Sequence, residues 1–321
     1  MAPVPGRPSV IRRVWRYLRT AVTAVAGDLR KRKAHRDLVR ALPEPRETLP
    51  GVGPAAELPT GDAPVFLFAP TWRSGSTLLQ RLVMSTGEIW MWGEVYTQAE
   101  PLQRMMGIFR PFREDFPDPG LFTDPGLAPG ELTGDWIARL SPRPRHLMEA
   151  HRAFWDRLCA GPARDRGCAR WGLKAVNLPV DYPVYLKRLY PDARLIFLVR
   201  NPYRAWLSYR RWADWYARFP DDPVFTVQRF ARMWSEHTAQ FLRYAAAADD
   251  VLLIRFEDLV RGGEVLDELS EHVGSRVDPA VLDRKVAGTG AERASTTTVV
   301  ERLVLRRFTR GPAEELGYEA V

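Results

Sequence analysis

Residues 64–86 read PVFLFAPTWRSGSTLLQRLVMST. Val65–Ala69 is an apolar run closed at both ends by proline, the length and composition of a strand buried on both faces. Thr71, Trp72, Arg73, Ser74, Gly75 and Ser76 follow as a loop. Leu78, Leu79, Leu82 and Val83 then recur at the spacing of one helix face. A strand, a small-residue turn and a helix aim free backbone N–H groups and the positive end of a helix dipole at an anion. Ser74, Ser76 and Thr77 add hydroxyl donors, and Gly75 lets the backbone come close. The stretch predicts a phosphate cradle at the head of an α/β domain.

It is not a Walker A loop. That motif needs glycine where Pro70 stands and lysine where Ser76 stands. The cation here is Arg73, on the other side of Gly75. The loop therefore predicts anion binding without the lysine of an ATP- or GTP-hydrolysing site.

The chain has 321 residues, enough for one large α/β domain or two smaller ones with a substantial core. Its net charge of +8 is carried by arginine, since only five of the 47 basic residues are lysine. Such a balance suits nucleic acid, an acidic surface or a small polyanion. No zinc-finger or RNP pattern accompanies it, so no nucleic-acid partner is expected. The two cysteines, Cys159 and Cys168, supply no metal-ligand set and no disulfide framework, which points to a reducing compartment and a cytoplasmic protein.

Outward from the loop, residues 1–42 form a basic amphipathic extension. Ile11, Val14, Trp15, Leu18, Val22 and Val25 recur at helical spacing among Arg12, Arg13, Arg16 and Arg19. The segment reads as a helix on an anionic membrane surface, as a surface packed on the domain or a partner, or as disorder; a signal peptide is rejected. Residues 43–63 are a proline- and glycine-rich linker, so the catalytic domain is expected over 64–321. Residues 98–165 interrupt the strand–helix alternation, with helical patches at 135–140 and 145–158. They read as a mostly helical insertion on the acceptor side of the site.

A strand-like run, IWMWGEVY, ends near Glu94, which on its own reads as a solvated loop glutamate. RWGLK predicts a third strand ending in Lys174, followed by a helix over 183–190. RLIFLV at Arg194–Val199 is the most apolar strand and runs into Arg200-Asn201-Pro202. A Walker B strand ends in aspartate to hold magnesium; arginine at that place favours an anion and metal-free chemistry. Pro202 suits a helix start. That helix is expected to carry Trp206, Ser208, Tyr209, Trp212 and Trp215, aromatics read as core first and as stacking or groove residues second. A long amphipathic helix over 224–247, a strand at Val251–Arg255 and a helix over 264–272 complete the pattern.

RSGSTLL at 73–79, and RNPYRAWLS at 200–208 with serine eight residues after the arginine, together resemble the two signatures of sulfotransferases that use 3′-phosphoadenosine 5′-phosphosulfate (PAPS). LIRFEDLV at 253–260 and the closing ELGYE resemble later segments of the same family. The run of loop helix, strand and Gly-Glu resembles the branch of tyrosylprotein and bacterial carbohydrate sulfotransferases. The resemblance implies a P-loop-like parallel sheet flanked by helices. It also implies that Arg73, Ser74, Gly75, Ser76, Thr77 and Leu78 hold the 5′-phosphosulfate end of PAPS, and that Arg200 and Ser208 hold the 3′-phosphate. Glu94 becomes the general base, with Arg73 and Lys174 as cations beside the departing phosphate.

The chain departs from the cytosolic branch. Leu78 stands where that branch has tryptophan, and Lys174-Ala175-Val176-Asn177 stands where it has its histidine base. His146 and His151 are left as surface residues or site members. The implied reaction is metal-independent, in-line sulfuryl transfer to a hydroxyl of a carbohydrate, a lipid-linked group or another small alcohol. The alternatives weighed are a magnesium-dependent nucleotide kinase or NTPase, and an inactive nucleotide-binding protein held at a membrane through residues 1–40.

Overall fold

A computed structural model describes residues 63–96, 99–112, 122, 128–134, 136–212, 224–284 and 296–319. The amphipathic extension and most of the linker, the expectations for residues 1–42 and 43–62, lie outside the described residues.

Five parallel strands form one sheet: β1 (Val65–Ala69), β2 (Ile89–Trp92), β3 (Arg170–Val176), β4 (Arg194–Val199) and β5 (Val251–Arg255), in the spatial order β2-β3-β1-β4-β5. Leu67 at the centre of β1 is in register with Lys174 on β3 and Ile196 on β4. All five side chains of β1 are fully buried. Because successive residues face opposite sides, Phe66 and Phe68 enter one core and Val65, Leu67 and Ala69 the other.

Helices cover both faces. On the second face lie α1 (Ser76–Met84), through Leu79, Leu82 and Val83, and, numbered below in chain order, a helix at Glu264–Val273 through Leu266, Leu269 and Val273. Between β2 and β3 come α2 (Pro101–Gly107) and α3 (Pro144–Trp155), the latter continued by a π-helical turn at Asp156–Ala160. Leu102, Met106, Met148, Trp155 and Cys159 from this stretch share the core of Phe66 and Phe68, so its described parts pack on the first face. Then follow α4 (Asp181–Leu189), α5 (Pro202–Arg210), α6 (Val227–Ala246), α7 (Glu264–Val273) and α8 (Val299–Glu315). A third core joins α5, α6 and α8 through Trp206, Tyr209, Phe230, Trp234 and Leu305. No described helix is long and apolar enough to cross a membrane.

The helix starts follow capping chemistry. The Asn201 side chain accepts from the amides of Tyr203 and Arg204, with Pro202 at the first helical position. Thr226 accepts from the Arg229 amide, and Thr298 with Glu301 forms a capping box.

Two expectations are corrected. Residues 136–140 are not helical: Trp136, Ile137 and Leu140 are exposed, so no apolar face is buried. Pro142 and Pro144 follow closely and bias the chain towards extended backbone. In addition, α5 stops at Arg210, which leaves Trp212 in the turn after it; Trp215 lies outside the described residues.

Candidate active site

The strand order decides where the site lies. From β1 the chain leaves towards β2, beyond β3. From the adjacent β4 it leaves towards β5, on the other side. Neighbouring strands whose connections diverge open a crevice at their carboxyl ends, where ligands of such sheets bind. The loop after β1 and the Arg200-Asn201-Pro202 corner after β4 form its two walls.

The loop has unusual backbone. Arg73 adopts φ +66° and Gly75 φ +91°. A Cβ on Gly75 would stand 2.1 Å from the Phe256 ring, so the position requires glycine both for its dihedral and for room. The Ser74 hydroxyl donates to the Thr71 carbonyl oxygen at 2.8 Å, and both residues are fully buried. The Ser74 side chain thus also shapes the loop. The Ser76 and Thr77 amides, opening the nine-residue α1, find no acceptor among the described residues, and no side chain caps the helix. Open amides at the start of a helix are the donors that an anion can meet.

Arg73, Ser208 and Arg200 meet across the crevice. Arg73 Nε donates to Ser208 Oγ at 3.1 Å, and Arg200 Nη1 donates to the Arg73 carbonyl oxygen at 3.0 Å. The Arg73 guanidinium lies 5.4 Å from the Trp212 ring centroid, and that of Arg200 lies 4.5 Å from Phe256. The ring that fills the space under Gly75 thus also carries Arg200. Trp206 and Tyr209 are buried in the third core, the role read first for them.

On the other side of β1, Lys174 Nζ and Glu94 Oε1 form an ion pair at 2.5 Å. Glu94 lies just past β2, whose Trp92 is in register with Leu173, so the pair spans the carboxyl ends of β2 and β3. The Lys174 side chain is 9% exposed and that of Glu94 30%, so solvent reaches the carboxylate more than the ammonium. The histidines take other places. His146 is exposed on α3, and His151 is buried with Nδ1 at 2.9 Å from Tyr185 Oη.

Two residues of the later segments, for which the sequence assigned no role, brace the site. Glu257 Oε1 accepts from the Asn201 amide at 3.1 Å, and Tyr318 Oη lies 2.8 Å from Glu257 Oε2 and 3.1 Å from the Val199 carbonyl oxygen. Burial, with the Glu257 carboxylate beside it, holds the Tyr318 phenol above its ordinary range, so it remains a donor. The segments LIRFEDLV and ELGYE, separated in sequence, therefore converge on the Arg200 corner.

The fold and crevice define an α/β protein with a strand–loop–helix at a switch point of its parallel sheet. The chain belongs to the Sulfotransferase family, whose profile matches residues 64–278. No curated protein sequence matches it at a significant level. Among solved structures it is similar to the sulfotransferase domain of a Synechococcus olefin synthase: 16% identity, 81% of this chain and 98% of that one, TM-score 0.41. A sulfotransferase from Alicyclobacillus acidocaldarius gives 16% identity, 80% and 97% coverage and a TM-score of 0.41. One from Mycobacterium avium gives 15% identity, 83% and 79% coverage and a TM-score of 0.41.

Proposed function

We propose that the chain transfers a sulfuryl group from PAPS to the hydroxyl of a carbohydrate, a lipid-linked group or another small alcohol, with Glu94 as general base. The observation that carries this is the contact of Arg73 with both Ser208 and the Arg200 side chain, which brings the two motifs together at one crevice. A donor charged at both ends fits that crevice: the open amides of Ser76 and Thr77 suit one end, and the Arg200 guanidinium the other. When bound, PAPS supplies an activated sulfuryl group whose leaving group is a phosphate.

The chain's own residues do the rest. Ser74, Gly75, Ser76 and Thr77 hold the 5′ end through backbone N–H groups, and the Ser74, Ser76 and Thr77 hydroxyls add donors; Leu78 continues the helix that carries them. Arg200 and Ser208 hold the 3′-phosphate. Arg73 and Lys174 stabilise negative charge on the departing phosphate oxygen, where prepositioned cations act most strongly. Glu94 takes the acceptor proton, and its contact with Lys174 orients it beside the cation. With Arg200 rather than a carboxylate ending β4, the reaction needs no divalent ion. Both cysteines are free thiols, as suits the cytoplasm.

Calorimetry with adenosine 3′,5′-bisphosphate and with AMP tests the donor. The wild type prefers the bisphosphate, and Arg200→Ala removes that preference; a wild type that binds both alike ends the proposal. Glu94→Gln keeps the nucleotide affinity and lowers PAPS turnover against a panel of sugar, phenol and lipid alcohols by about 10²–10⁴-fold. Unchanged turnover removes Glu94 from the chemistry.

A further inference from the structure

We infer that Trp234 and His237 of α6 are positioning residues that set the two halves of the donor site at a fixed distance, an inference that rests on the donor reading above. Both are buried on the inner side of the helix. The Trp234 indole Nε1 donates to the Arg200 carbonyl oxygen at 3.0 Å. His237 Nδ1 lies 2.9 Å from the carbonyl oxygen of Pro70. A carbonyl only accepts, so Nδ1 is the protonated nitrogen and donates. Pro70 is the first residue after β1 and Arg200 the first after β4. One turn of one helix therefore holds the chain where it enters each wall of the crevice.

The helix is suited to this because it is itself fixed. Phe241, one turn beyond His237, stacks on Phe197 of β4 with centroids 4.3 Å apart and planes 11° apart. Gln240 Oε1 accepts the Val180 amide at 3.1 Å, which ties the same helix to the segment after β3. Residues 234 and 237 are about 4.5 Å apart along the axis, a separation that does not stretch. A ligand that touches both walls feels a shift of either one, whereas a ligand that touches only the first loop feels that loop alone. Neither side chain need touch the ligand; each acts through the backbone carbonyl it holds.

The two contacts make different predictions. Trp234→Phe removes the indole donor at the Arg200 wall. It weakens adenosine 3′,5′-bisphosphate by about tenfold, the scale of one lost hydrogen bond to a buried carbonyl, and leaves AMP within about twofold. His237→Leu acts at the first loop and weakens both nucleotides by about tenfold. His237→Asn, whose amide nitrogen falls near the position of Nδ1, binds both as the wild type does; His237→Gln, whose nitrogen falls near Nε2, does not.

Calorimetry on full-length protein, with thermal unfolding recorded for each variant, reads all of these. Folded Trp234→Phe that loses both nucleotides equally overturns the inference for Trp234. Asn and Gln variants that behave alike overturn it for His237, and this comparison decides even if His237→Leu fails to fold. A wild type with no preference for the bisphosphate sinks the donor reading instead. The Asn–Gln comparison with AMP still decides the role of His237 in that event.

Discussion

At the scale of single residues, Gly75 is the least replaceable position in the loop. Its φ of +91° lies where side chains are disfavoured, and Phe256 fills the space a Cβ would need. Gly75→Ala should cost about 1–3 kcal/mol from the dihedral, with the ring clash added. Urea unfolding measures this. Adding Phe256→Ala should recover the clash but not the dihedral, and it removes the ring over which Arg200 lies. A Gly75→Ala protein as stable as wild type would show that the loop relaxes to another backbone. Much of this residue-scale detail was legible, since Arg73, Gly75, Arg200 and Ser208 stand in two compact patterns and do converge. The inward turn of Ser74 was not, because a serine's sequence neighbours do not say which oxygen its one proton meets. Trp234 and His237 were equally hidden: their partners are backbone carbonyls, and any donor at the right place would serve.

At the scale of elements, the strands were easier to read than the helices. β1, β4 and β5 have the bounds their apolar runs suggest, because a strand buried on both faces leaves an unbroken run. By contrast, α8 was not anticipated as a helix. It buries only Leu305, Thr309 and Ala313, turns Val299, Val300 and Leu303 outward, and contains Pro312, so its pattern does not read as amphipathic. The joint between α3 and α4 holds a buried histidine. Burial lowers the pKa of His151, which packs its Nδ1 against Tyr185. Folded His151 thus stays neutral where the unfolded chain takes up a proton, and stability falls as pH drops below the ordinary histidine value of 6.5. His272, whose pKa is also lowered by burial, contributes in the same direction. Urea unfolding at pH 7.5 and 5.5 should show a loss that is smaller in His151→Phe. Equal losses in the two proteins would remove His151 as a source.

At the scale of the whole molecule, the far end of the chain completes the site. Tyr318 is two residues past the Leu316 cap of α8, yet its hydroxyl shares one proton between Glu257 and the last carbonyl of β4. Tyr318→Phe should destabilise the protein by about 1–2 kcal/mol, because Glu257 loses a donor while still holding the Asn201 amide. It should also weaken adenosine 3′,5′-bisphosphate more than AMP. A variant with unaltered unfolding and nucleotide binding would show that the carboxyl-terminal segment is not needed to brace the corner.

The central place of β1 has a further consequence while the protein is being made. Of the five strands of the sheet this one is synthesised first, but the strands on either side begin only at Arg170 and Arg194. Until those are synthesised, VFLFA has two bare edges and only part of its final cover, from α1 to α3, a template for mispairing between nascent chains. Pro64 and Pro70, which delimit the strand in the finished protein, act as gatekeepers in the meantime by keeping that adhesive run short.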